Sequence, residues 1–129
     1  METDIQKYNL TNKAFDQSIL DEIIENINSI LSGATSKVWH GHPVWFIEDN
    51  PIVGYTIKDG NIHLLFWSGQ SFEEAQLVPL GKFKAAEIIL SHEKNIKINT
   101  ITKWLKKAKL IQWDYKNLIK RKGELVRLS

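Results

Sequence analysis

The sequence predicts an α+β fold: a two-layer domain in which a small antiparallel sheet carries N-terminal and C-terminal helices packed on it. Three observations predict it. Aliphatic residues recur at three-and-four spacing over 16–31, strand-length runs of β-branched and aromatic residues follow between 44 and 67, and helical spacing returns after Thr100. The 129 residues contain no internal repeat, low-complexity stretch or dividing linker. They read as one domain over 1–129, with 111–129 a basic C-terminal extension.

The first helix is expected over Asp16 to Leu31, where Ile19, Leu20, Ile23, Ile24, Ile27, Ile30 and Leu31 form one apolar stripe. Asp16 is its expected cap, with Thr11 as an alternative start, and Gly33 terminates it. Strands are expected at Val44–Ile47, Ile52–Lys58 and Asn61–Trp67, separated by turns at Glu48-Asp49-Asn50-Pro51 and Asp59-Gly60. The Asp-Gly pair tolerates the positive φ angles of a tight hairpin, so the second and third runs should be antiparallel neighbours. In Asn61–Trp67, Ile62, Leu64 and Phe66 alternate with His63, Leu65 and Trp67; the fully apolar face belongs against the helices. A loop with a short helical turn surrounds Phe72, and Lys84–Leu90 reads as a further strand. Asn99 or Thr100 should cap a second helix with Ile101, Trp104, Leu105 and Ala108 inward and Lys103, Lys106, Lys107 and Lys109 outward. Tyr115, Leu118 and Ile119 continue a helical spacing to Gly123.

Composition narrows the chemistry. With no cysteine, disulfides, thiolate zinc sites and thiol catalysis are excluded, which suits a cytoplasmic location. No apolar run approaches the roughly 20 residues of a membrane span, and the opening Met1–Lys7 lacks the pattern of a secretory leader, so no membrane association is expected. Charge is uneven. Through Ser36, six acids face only Lys7 and Lys13, whereas from Lys94 onward eleven bases face Asp114 and Glu124. Such a basic third attracts anions in general, but solvated or self-paired helix faces produce the same pattern.

The densest chemical cluster is Trp39-His40-Gly41-His42-Pro43-Val44-Trp45-Phe46, with two imidazoles, two indoles and a Gly-Pro frame within eight residues. In an extended backbone His40 and His42 point the same way, and His63 on a neighbouring strand would complete a three-nitrogen metal site. Histidines that bond backbone groups at a sheet edge are the commoner arrangement. Ser68 and Ser71, with His42 or His92 as base, lack the strand-turn-helix setting of a hydrolase nucleophile. Gly81-Lys82 is too short for a phosphate loop.

These residues also carry a resemblance. The element just quoted, followed by Pro51-Ile52-Val53-Gly54-Tyr55, Leu64-Leu65-Phe66-Trp67-Ser68-Gly69 and Gly81-Lys82-Phe83-Lys84, resembles the YdhG-like family of domains of unknown function. It covers about Asp16 to Ala108; its Trp-x-Gly-x-Pro element appears here with His40 between Trp39 and Gly41. The resemblance implies a frataxin-like fold, and some relatives are described as iron chaperones. An iron site of that kind would use acids of the first helix, here Asp21, Glu22 and Glu25, whose hard oxygens suit the metal.

The sequence reading is therefore a non-catalytic ligand-binding or accessory domain with a pocket at the His-Gly-His-Pro element. Its ligand-binding residues are His40, His42, Trp45, Trp67 and Lys82. The indoles supply a flat wall, His42 a switchable hydrogen bond and Lys82 an anion contact. No cofactor is assigned. Iron on the first-helix acids is the alternative, and weak nucleic-acid binding through the basic C-terminal third is another. A small molecule or a protein partner fits the first reading.

Overall fold

The computed structural model describes residues 3–94 and 96–128. Met1, Glu2 and Ser129, at the limits of the expected domain, and Asn95 lie outside the described residues. The chain runs α1 (Asp4–Thr11), α2 (Gln17–Ile30), β1 (Thr35–Trp39), β2 (His42–Ile47), β3 (Asn50–Lys58), β4 (Asn61–Phe66), β5 (Val78–Pro79), β6 (Ala86–Leu90) and α3 (Ile98–Leu110). Single 3-10 turns occupy Gly69–Phe72 and Tyr115–Asn117. All strand pairings are antiparallel, in the order β1-β2-β3-β4-β6-β5. No helix among the described residues is long and apolar enough to cross a membrane.

The helices share one face of this sheet. Leu20, Ile23 and Ile27 of α2 and Ile101, Trp104, Leu105 and Ala108 of α3 bury against Val53, Tyr55, Ile62, Leu64, Phe66, Ile88 and Leu90 in one core. Full burial of such side chains contributes roughly 1.5–3 kcal/mol each, and this sets the face of every strand. Asp16 caps α2 by accepting the Ser18 and Ile19 N–H groups at 3.0 and 3.3 Å. Lys97, without a side-chain bond, precedes α3, so Asn99 and Thr100 fall inside its first turn rather than at its cap.

Besides the two-residue β5, which falls in the stretch expected as a loop, two elements were not expected. The first is α1, opened by a capping box in which Thr3 and Gln6 satisfy each other's backbone donors. Its Asp4 accepts the Val38 N–H at 2.7 Å, so a helix covers part of the exposed edge of the sheet. The second is β1, which pairs with β2 through a turn at His40-Gly41. Both turn residues have positive φ, +51° and +87°, so the stretch taken as extended reverses direction there. The same geometry recurs at Glu48-Asp49 (+49°, +66°) and at the expected Asp59-Gly60 hairpin (+53°, +79°), making β1 to β4 a meander. The expected helix through Tyr115, Leu118 and Ile119 shortens to the Tyr115–Asn117 turn, where the Lys116 N–H bonds to Asn50 of β3 in place of a helical carbonyl.

Candidate functional site

Strand parity decides which residues meet. Val53 faces the core and pairs with Trp45 on one side and Phe66 on the other, so those two rings share the helix-covered face. Trp67 follows Phe66 and therefore lies on the opposite face. Trp45 is 1% exposed and donates its indole N–H to Asn28 at the end of α2 at 2.8 Å. The expected concavity shared by Trp45 and Trp67 does not form; Trp45 is a core residue.

The helix-free face carries a different aromatic group. Trp39 of β1 meets Phe46 of β2 edge-on at 5.4 Å between centroids and Trp67 at 6.3 Å. Gly54 opens the space for this. A Cβ there would stand 2.6 Å from the Pro43 carbonyl oxygen and 3.3 Å from Cζ3 of Trp67, so the indole lies close over bare backbone. Between β2 and β3 a bulge leaves Ile52 without a counterpart, with Pro51 opposite Phe46. The Ile52 carbonyl accepts the Trp67 N–H at 3.1 Å, which ties the indole's backbone to the bulge.

A C-terminal strap builds the facing wall. Asn50 donates to the Trp113 carbonyl at 2.9 Å and accepts the Lys116 N–H at 3.1 Å. Ser68 accepts the Trp113 backbone N–H, and Ser71 accepts its indole N–H. Asp114 accepts from Asn117 and Arg121, and its own N–H goes to Val126. Asn50, Ser68 and Asp114 are the three buried polar residues among those described, and all three hold this strap. Ser68 and Ser71 are thus engaged by Trp113, away from the nucleophile role considered for them.

Between strap and meander lies a groove of about 550 Å³ whose walls include Trp39, His40, Trp67, Tyr115, Lys116 and Asp49. His40 projects from the hairpin turn, is exposed, and packs its ring 4.3 Å from that of Trp39. His42 is half-buried beside the groove; burial, and then repulsion from His40, hold its imidazole below the ordinary value. Lys82 is exposed and lies outside the walls, because its ammonium stands 5.1 Å from Phe83, a ring that meets the wall residue Tyr115 edge-on but does not itself line the groove. Of the five expected ligand residues, His40 and Trp67 line the groove. Trp39, Phe46, Tyr115 and Lys116 were missed. Reading His40-Gly41 as a tight turn would have exposed Trp39 and Phe46; the strap's docking leaves no mark in periodicity.

The metal expectations do not gather into a site. His63 faces Glu87 at 3.9 Å, one strand beyond β3, while His40 sits in its turn. Asp21, Glu22 and Glu25 are exposed on α2, and Asp21 accepts a bond from Gln17. Among the described residues no three His, Asp or Glu side chains are grouped to hold a metal ion. A larger hollow of about 760 Å³ lies between α1 and α2, but its walls are amides, Leu10, Ala14 and the Lys13 and Asp21 charges, with no aromatic ring.

No family model, curated protein or solved structure matches this chain.

Proposed function

We propose that the domain is a non-catalytic binding module whose groove beside the His40-Gly41 turn takes a flat, anionic ligand. The observation that supports this best is the pair of half-buried indoles, Trp39 and Trp67, kept partly open on a sheet face that no helix covers. Apolar rings that could have been buried in the core are instead left beside water, at the cost of their hydrophobic burial. Lys37, 5.2 Å from the Phe46 ring, and Lys116 supply positive charge to the same groove, against one carboxylate from Asp49. A planar ring held between indoles and an anionic group held by lysines use all of these features. The resemblance to the YdhG-like family, with the frataxin-like fold it implies, belongs to this proposal.

The test uses the five indole N–H signals of the protein in a two-dimensional NMR titration with naphthoate or AMP. Trp39 and Trp67 should shift together, while the core indoles Trp45 and Trp104 stay in place. Shifts confined to residues of the α1–α2 hollow, or none at millimolar ligand, would reject the groove.

A further inference from the structure

Resting on that reading, we infer that the planar group in the groove is a base of a single-stranded nucleic acid, bound without sequence preference. Rings and lysines continue past the groove as one track. From Trp39 and Trp67 the groove crosses to Tyr115 of the strap, and Tyr115 meets Phe83 edge-on at 6.4 Å. Beside Tyr115, the Lys84 ammonium stands 4.9 Å from the Trp113 ring, and Lys82 stands 5.1 Å from Phe83. The Tyr115 hydroxyl accepts the Lys84 N–H at 3.0 Å, fixing these residues to one another. Lys37 lies at the Phe46 end and Lys116 in the middle. Rings and cations thus reach beyond the groove, whose walls hold Trp39, Trp67, Tyr115, Lys37 and Lys116 but not Phe83, Lys82 or Lys84. This arrangement matches a strand whose bases stack on successive rings while its phosphates meet lysines.

Both sets of groups are sequence-tolerant. Every base has a π-face, and an ammonium contacts any phosphate, whereas the walls hold no Arg, Asn or Gln, the side chains that fork onto purine edges. The strap adds exposed Lys120 and Lys122 just beyond Ile119, which borders the groove. By contrast, Lys103 and Lys107 of α3 are engaged by Glu74 on the covered side of the sheet. The exposed Lys106 and Lys109 of that helix therefore serve as the control for general electrostatic attraction.

The experiment is fluorescence anisotropy of the full chain with labelled oligo-dT and oligo-U of about twelve nucleotides, a duplex of equal length, and unlabelled AMP as competitor. Expected is preference for the single strands over the duplex, with a slope of log affinity against log salt of about −2, as for three phosphates met by Lys37, Lys84 and Lys116. Between about 50 and 200 mM salt that amounts to a loss of roughly fifteenfold. Trp39→Ala and Trp67→Ala should each weaken binding about fivefold or more, and Lys116→Gln should flatten the salt slope. Lys106→Gln/Lys109→Gln should change neither. If Trp67→Ala fails to fold, Trp39→Ala and Lys116→Gln decide. Binding that survives the tryptophan variants but is lost with Lys106 and Lys109, or equal affinity for duplex, overturns the inference. Binding of AMP or naphthoate to the groove with no affinity for either oligonucleotide overturns it too, while leaving the groove as a small-molecule site.

Discussion

Gly54 lies directly beneath Trp67: a methyl group added at position 54 would stand 3.3 Å from the indole and 2.6 Å from the Pro43 carbonyl oxygen. The backbone contact cannot be relieved by rotating a side chain. Gly54→Ala is expected to destabilise the domain by about 1–3 kcal/mol and to displace Trp67. Urea denaturation and the Trp67 indole N–H resonance measure the two effects. An unchanged midpoint with an unmoved resonance would show that the close approach does not constrain the indole.

Glu48 adopts φ +49° in a two-residue turn that favours Asn or Gly. Its carbonyl accepts from Lys116, a bond that any residue at this position retains. Glu48→Asn should therefore stabilise the protein by about 1 kcal/mol, read as a higher urea midpoint at unchanged slope. A lower midpoint would mean that the Glu48 side chain matters more than its backbone.

Asn50→Ala leaves the Lys116 N–H without its acceptor and the Trp113 carbonyl with the Tyr115 N–H alone. Losing both bonds of the buried Asn50 side chain should cost about 1–2 kcal/mol. Amide hydrogen exchange should accelerate at Lys116 and Asp114 while the α2 amides keep their protection. Uniform acceleration across the molecule would instead indicate that strap and core open together.

Stability should fall with acid in a first step through His42 and a second through the carboxylates, in which Glu74, held below its ordinary value chiefly by its hydrogen bond from Lys107, joins Asp114. The His42 imidazole is held below its ordinary value of 6.5, so unfolding takes up a proton as the pH falls below 6.5. Its contribution is complete above that value and is lost as the pH falls through the lower folded one. Hydrogen bonds from Asn117, and then Arg121, outweigh burial and hold Asp114 below 3.8; its contribution is present above 3.8 and disappears at still lower pH. His42→Gln should abolish the first step and leave the second. Parallel wild-type and variant profiles would remove His42 as the cause.

What the residues revealed in advance follows from how local each signal is. The α2 stripe, the Asp16 cap, the Asp59-Gly60 turn and the inward face of α3 are all written within a few residues, and each stands as expected. The tryptophans were harder. Whether Trp45 faces the helices depends on its register with Val53, which a bulge at Ile52 shifts on the very next pair. α1 was overlooked because its eight residues carry only one buried side chain, Ile5, too few for a periodic stripe. The groove's far wall depends on Asn50 and Ser68 meeting residues more than forty positions away. No window of neighbouring residues contains that information.

The three tight turns of the meander also bear on the order in which the molecule assembles. Within β1 to β4 each strand pairs with the one next to it in the chain, so each of these three pairings closes a loop of two residues and loses little entropy, whereas β4 reaches β6 across a longer connection. The strap's bonds to Asn50 and Ser68 span 63, 66 and 45 positions and reward the chain only after the sheet exists. Short-range pairing is therefore expected to form in the folding barrier and the strap to dock after it. Loosening it through Asn50 should chiefly hasten unfolding, so the lifetime of the closed groove is governed by the last segment to dock.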